Sequence, residues 1–460
     1  MSLSLTPVTV VASKEASENE AQIFLSKRTL DHFGLEQDQN VKIFIGNNVQ
    51  LVKIVVRDVP FSQIHFSEQL MTDFSLPMQT IKLQAKYARS ANSLYLGPVI
   101  GLLTDLPSNQ DDEPYFRSIH SFCEELGKRM AEIGGIFYIF TYNDFTADDV
   151  SGYYLNKEKW KYEKLPLPNV IYNRIHSRKL EQLRVFQAFR QQLERFSIPF
   201  FNDRFLSKWE VYQCLTCEVN IKPYLPETEL FSKKKLVEFL EKYPIVFLKP
   251  VYGSQGKNIM KLTKKDNSFM LQTSSSSLSD QPLVLQSAET ILQLLQPLLG
   301  KRIYIIQQGI PLAAHQSRTI DFRVLCHKNA DEDWQVTSIV ARISGEQQFV
   351  SNVARGGEIV KPITALTLFF SKKGAKEILS FMKELAIEAS AAISRCTKRL
   401  TGELGIDIGV DSTGKLWLIE INSKPSKNFE HSRMKIRPST KAILQLCTRL
   451  AFETMEKKEG

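Results

Sequence analysis

No stretch of this 460-residue chain approaches the roughly 18 consecutive apolar residues that a membrane-spanning helix needs. Cysteine is scarce, six residues in all, and too scattered for a disulfide framework. Cys214 and Cys217 form a lone CxxC in a helical-looking stretch, and no second Cys/His pair stands nearby to complete a zinc site. The opening MSLSLTPVTVVASKEASENE has no basic segment before its short apolar run and soon turns acidic, unlike a secretory signal. A reducing, cytoplasmic setting is therefore expected. Also missing are the GxxxxGK[ST] spacing of a P-loop, an internal repeat, and any recognition-helix or RNA-binding signature.

What remains is an ordinary globular composition, 43% hydrophobic and 24% charged, with a formal net charge of +9. Nucleic acid is one reading of that charge. Lysine and arginine are spread along the chain, however, with short clusters at Lys233, Lys234 and Lys235 and between Arg433 and Lys441. Anionic small molecules such as nucleotides account for the balance equally well. The length predicts about three domains. Residues 1–90 read as a small β-rich unit with one helix near 27–33, and 85–93 as a linker. Residues 94–200 alternate strands (99–103, 136–140, 170–172) with helices (115–133, 179–195), which predicts a parallel α/β sheet. Residues 201–460 form a third unit, with an aperiodic surface loop over 266–282 and a strong amphipathic helix over 371–400.

The most informative segment is GIDIGVDSTGKLWLIEINSKP, residues 405–425. It reads as a strand carrying Asp407, a turn at Asp411, Ser412, Thr413 and Gly414, and a returning strand ending in Glu420 and Asn422. Period-2 geometry places Glu420 and Asn422 on one face, and the hairpin folds Asp407 beside them. Two carboxylates and an amide oxygen suit Mg²⁺, which leaves its other positions to water and phosphates. An exposed acidic hairpin is the plainer alternative.

Lys249 ends the apolar run IVFLKP, and Gly253, Ser254, Gln255, Gly256 and Lys257 follow. A buried cation before a glycine-rich turn makes a phosphate site, although a hairpin without a ligand has the same pattern. Gln307, Gln308, Gly309 and Ile310 close another apolar strand, whose free edge could pair with an adenine rim; an ordinary core strand is the other reading. In RTIDFRVL, Asp321 and Arg323 share a strand face, and Arg342 lies on the next apolar strand. Their guanidinium forks suit phosphate or carboxylate, or else structural ion pairs.

In this order the motifs resemble the ATP-grasp superfamily, over about residues 94–450. The narrower likeness is to the endospore coat-associated YheC/YheD group, through FLKPVYGSQGKNI, TIDFRVL and IGVDSTGKLWLIEINSKPS, and Asn352 with Gly356 and Gly357 is similar to the glycine-rich segment of RimK-like ligases. The resemblance implies an ATP-grasp fold of mixed α+β and α/β class. Two α+β subdomains would clasp ATP behind a pre-ATP-grasp α/β domain and a small amino-terminal β-rich domain. It further implies that Lys208 and Lys249 hold the ATP phosphates, that the loop of Gly253, Ser254, Gly256 and Lys257 closes over them, and that Asn352 also binds the nucleotide. Gln307, Gln308, Gly309 and Ile310 would grip adenine through backbone groups, and Asp407, Glu420 and Asn422 would ligate Mg²⁺. Arg342 and Arg323 would face the transferring phosphoryl group. The implied activity is an ATP- and Mg-dependent carboxylate–amine or carboxylate–thiol ligase working through an acylphosphate and linked to the forming spore coat. The alternative is a non-catalytic nucleotide-binding coat scaffold. Three departures stand out: Gln308 replaces a frequent Glu, no acidic ribose ligand lies between Pro311 and Thr319, and Gly405 replaces an arginine found in some members. Arg204 rivals Lys208 for its role.

Overall fold

The structure is a computed structural model that describes residues 4–13, 21–106, 114–253, 256–266, 268–274, 283–316, 318–345, 357–427 and 436–457. Near the amino terminus, seven strands close a barrel in the order Thr6–Ser13, Gln63–Ser67, Gln22–Leu25, Asn48–Val56, Asn40–Ile45, Ser93–Gly97 and Ile81–Ala88. Thr6–Ser13 and Ile81–Ala88 pair antiparallel to complete the circle. The expected linker over 85–93 is instead part of the closing hairpin, where Ala88 pairs with Ser93. Its polar, small residues hid the strand, because only Ile81, Leu83 and Ala85 point into the core. The helix Lys27–Phe33 forms as expected, with Ser26 accepting from the Thr29 amide. A second helix, Glu68–Asp73, was not anticipated.

The next sheet runs Lys159–Pro166, Asp149–Asn156, Ile136–Phe140, Val99–Leu103, Val170–Asn173, Phe200–Phe201. Its inner strands are parallel, flanked by helices His120–Ile133 and Arg184–Arg195. The helix expected over 179–195 is broken into Arg178–Glu181 and Arg184–Arg195. The barrel does not stand apart from this unit: Ile43 and Leu83 share one buried cluster with Tyr138, Phe140 and Phe189.

Two further sheets follow. One is ordered Thr228–Leu230, Tyr304–Gln308, Ile245–Pro250, Met260–Lys265, Ser268–Thr273, Leu283–Leu285, and is covered by helices Lys233–Lys242 and Ala288–Leu299. The expected aperiodic loop over 266–282 thus contains a strand, paired to Met260–Lys265. The other is ordered Glu358–Val360, Trp334–Ile343, Arg318–Lys328, Glu403–Val410, Leu416–Asn422. Helix Lys372–Thr397 packs on it through Met382, Leu385, Ala389 and Ile393. The expected core position Phe381 is instead half exposed beside Tyr224.

Long-range ties then fix the units together. Helix Pro438–Lys457 returns to the first half of the chain: Ile443 and Cys447 join Ile100 and Tyr172, and Phe452 and Met455 meet Phe44 and Tyr95. Fully buried Glu403 holds Lys427, Arg174, His327 and Tyr172. Cys214 is bonded to Cys396, joining helix Lys208–Thr216 to helix Lys372–Thr397. That pairing departs from the reading of the cysteines as too scattered for disulfides; a sequence separation of 182 gives no local clue to it.

Candidate functional site

The acidic hairpin forms around its turn. Asp411 Oδ1 accepts from the Thr413 and Lys415 amides at 2.9 and 3.1 Å, and Gly414 takes φ +90°. Within the ladder Asp407 stands opposite Glu420, while Ile408 stands opposite Leu418, so Ile419 is an extra residue. This bulge changes the phase of the strand. Leu416 and Leu418 are buried before it and Ile421 after it, while Glu420 and Asn422 are only partly buried and Glu420 stands on the cleft. Without the bulge, Glu420 would follow Leu418 into the core.

Lys208, first residue of a helix capped by Ser207, reaches Glu420 with Nζ 2.6 Å from Oε1, and lies 3.4 Å from the Gly253 carbonyl. Arg204 is turned to Glu210 instead, so Lys208 is the cation at the hairpin. Lys249 is buried, with Nζ donating to Gln307 Oε1 at 2.6 Å. Gln307 Nε2 in turn donates to Thr228 Oγ1 at 2.9 Å. Burial pulls the Lys249 ammonium down to about 8; Lys208 adds to the fall, and the Glu420 and Asp407 charges oppose it.

Asp407 is held by Arg323 through Nε and Nη2 and by Arg342 Nη2 at 3.1 Å. Arg342 also grips both oxygens of Asp321, at 2.7 and 2.8 Å. Burial pushes the Asp407 carboxyl up, but the two guanidinium charges outweigh it and hold the group below the usual range. Burial likewise works against the Arg342 cation, and Asp321 and Asp407 more than restore it. Both arginines therefore sit in structural ion pairs on Asp407.

A cleft of about 470 Å³, its open mouth included, runs between the two sheets. Tyr212, Leu215, Leu225, Ile305, Leu418 and Ile421 form apolar walls, and Lys208, Lys249, Gln307 and Glu420 stand along it. An apolar slot with cations and a carboxylate is suited to a planar base joined to phosphates. The hinge differs from the expected free edge, because Tyr304–Gln308 is an interior strand. The Gln308 amide donates to Glu227 O and the Gly309 amide to Ile245 O, both at 2.8 Å, so neither is left for adenine. Gly309 is needed for packing: a Cβ there would lie 2.3 Å from Ile245 Cγ2. Gly405 leaves room for Pro425, whose Cβ would stand 2.5 Å from an added Cβ, and this accounts for the missing arginine.

Gly253, Gly256 and Lys257 follow the Lys249 strand, with Lys257 exposed; Ser254 and Asn352 lie outside the described residues. Two groups had been missed, Thr228 on the cleft wall and Arg178 outside that wall, against Phe205 and Tyr252. Thr228 belongs to a strand of only three residues, too short for a periodic signal. Arg178 follows the strand Val170–Asn173, and the carboxyl end of a parallel strand is the place to look for ligand contacts.

The donor set fits a hard cation. Among the described residues no three His, Cys, Asp or Glu side chains gather to hold a metal, but this set is two carboxylates and an amide. Asp407 spends three acceptor positions on arginines out of roughly four that a carboxylate offers, so Glu420 and Asn422 would carry more of the ion.

Two sheets clasping a cleft, with lysines on one side and an acidic hairpin on the other, define an ATP-grasp fold. The profile described as YheC/D like ATP-grasp matches residues 197–450, more than half of the chain, and the chain belongs to that family. The endospore coat-associated protein YheD of Bacillus subtilis (strain 168) is 27% identical over 424 residues, covering 91% of each chain. YheC of the same strain is 24% identical over 338 residues, covering 71% of this chain and 90% of its own. Among solved structures, the D-alanine-D-alanine ligase from Coxiella burnetii is 9% identical with TM-score 0.43, covering 78% of this chain and 97% of the ligase. D-cycloserine synthetase DcsG is 12% identical with TM-score 0.45, covering 76% and 99%. Among the described residues no helix is long and apolar enough to cross a membrane.

Proposed function

We propose that the protein is an ATP- and Mg-dependent ligase that joins a carboxylate to an amine or thiol. The observation that carries this reading is the meeting of Lys208, Lys249 and Glu420 on one apolar cleft, with Asp407 opposite Glu420 in the ladder. Lys208 lies 2.6 Å from Glu420, and Lys249 feels the charges of both carboxylates. Lys208 and Lys249 would hold the phosphates, with the backbone around Gly253, Ser254 and Gly256 closing over them. Glu420, Asn422 and Asp407 would hold Mg²⁺, which when bound supplies charge neutralisation on the phosphates.

In the first step a substrate carboxylate oxygen bonds to the γ-phosphorus as the bond to the ADP oxygen breaks, giving an acylphosphate and ADP. In the second, the nucleophile bonds to the acyl carbon, the C–O bond to phosphate breaks, and a proton leaves the nucleophile. Arg342 and Arg323, fixed by Asp321 and Asp407, present immobile positive charge to the phosphoryl group at no reorganisation cost. By likeness to YheD and YheC, the setting proposed is the endospore coat. The coat-scaffold reading keeps one point in its favour, the near saturation of Asp407 by its arginines. A screen of ADP release over amino acids and peptides, with mass detection of the joined product, tests the ligase reading. A product is expected; nucleotide binding with no turnover for any acceptor would favour the scaffold.

A further inference from the structure

One cation beside the site belongs to neither lobe of the clasp. Arg178 comes from the preceding α/β unit, four residues past the start of the loop that follows Val170–Asn173. That strand and Ile136–Phe140 both run parallel to Val99–Leu103 on its two sides, so the loop opens at the carboxyl ends of the strands where α/β sheets bind ligands. The Arg178 guanidinium carbon lies 4.7 Å from the Phe205 ring centroid and 5.9 Å from that of Tyr252. Its Nη1 donates to Leu206 O at 3.2 Å, and the Leu206 amide donates to Ser423 Oγ at 3.1 Å. Arg178 is therefore near Tyr252, next to Gly253 in the expected phosphate loop, and is joined through Leu206 to Ser423, next to Asn422 in the acidic hairpin.

The neighbouring carboxylates are matched to other cations. Glu420 takes Lys208, and Glu181 takes Lys424. Arginines nearby are matched as well: Arg174 with Glu403, Arg190 with Asp203, Arg204 with Glu210. Among the described residues Arg178 has no carboxylate within 4.0 Å, yet aromatic rings and a carbonyl fix its plane. A guanidinium held flat between Phe205 and Tyr252, close enough to feel the Glu420 charge, can read a carboxylate with two parallel donors.

We propose that Arg178 recognises a carboxylate of the acceptor substrate and so sets acceptor specificity from outside the ATP-grasp lobes. This rests on the ligase reading of the site. Burial weakens the Arg178 cation despite the nearby Glu420 and Glu181 charges, and an incoming carboxylate would offset that loss.

The test is calorimetric titration of glutarate, L-glutamate, L-alanyl-L-alanine and their amides into protein saturated with Mg²⁺ and ADP. At least one carboxylate is expected to bind the wild type and to outcompete its amide. Its affinity should fall about tenfold or more in Arg178→Gln, with Arg178→Lys between them, the scale of losing one charge-assisted pair. The ADP affinity should stay within about threefold in both variants, which a merely structural role or a phosphate contact would not allow. Equal carboxylate binding by Arg178→Gln, no carboxylate binding by the wild type, or a parallel loss of ADP affinity would each overturn the assignment. A wild type that fails to bind ADP at all would overturn the ligase reading along with it.

Discussion

Replacing Lys249 by Met should stabilise the ligand-free protein near neutral pH while removing its hold on nucleotide. The ammonium is buried, and burial brings it to about 8 from 10.5. At about 1.4 kcal/mol per unit, carrying the charge costs the folded state about 3 kcal/mol below pH 8. Methionine fills similar space without the charge, but it leaves Gln307 Oε1 without its 2.6 Å donor. That loss costs about 1–2 kcal/mol, so a net gain of about 1–2 kcal/mol is expected at pH 7. Between pH 8 and 10.5 the unfolded chain binds more protons at this lysine than the folded one, so wild-type stability climbs with pH through that window. The advantage of Lys249→Met should therefore shrink and reverse by pH 10.5, leaving only the lost hydrogen bond. Urea unfolding midpoints at pH 7 and pH 10.5, with calorimetric ATP titration alongside, read both parts. A variant that is less stable at pH 7, or whose difference from wild type does not change with pH, would refute the reasoning; so would undiminished ATP affinity.

Glu420→Ala should abolish Mg-dependent ATP turnover while leaving the circular dichroism spectrum unchanged, since Glu420 is only partly buried and its partner Lys208 can be rehydrated. Glu403→Gln should cost about 3–5 kcal/mol, because Lys427 and Arg174 would keep buried charges without their anion. Burial raises the Glu403 carboxyl, but Lys427 and Arg174 hold it far below the ordinary 4.5, so its stabilisation is present above that value and fades in stronger acid. A denaturation midpoint unmoved by Glu403→Gln would contradict this. Deleting Ile419 should turn Glu420 into the core and lower the thermal midpoint together with ATP binding, and retention of both would dismiss the bulge as a positioning device.

Much of the site was readable because its signals are local. The turn at Asp411 through Gly414, the apolar strand before Lys249 and the period-2 placement of Glu420 and Asn422 each lie within a dozen residues. What escaped depends on partners distant in sequence. The strand Tyr304–Gln308 looks like an edge until Thr228–Leu230 and Ile245–Pro250 pair on both sides of it. Only the register against Glu403–Val410 reveals the extra residue at Ile419, because alternation in the strand itself reads straight through. Ser93 gave no strand signal, since its order comes from the distant strand Asn40–Ile45, where Lys42 stands opposite it. Arg178 sits in a polar stretch, and its meaning comes from Phe205, Leu206 and Tyr252 meeting it across unit boundaries.

The most direct test is a crystal of the protein grown with ADP and Mn²⁺, read through the anomalous signal of the metal. A peak flanked by Asp407, Glu420 and Asn422, with the ADP phosphates reaching toward Lys208 and Lys249, is the expected result. Manganese and nucleotide bound away from this hairpin, or absent from the cleft at millimolar concentration, would contradict it.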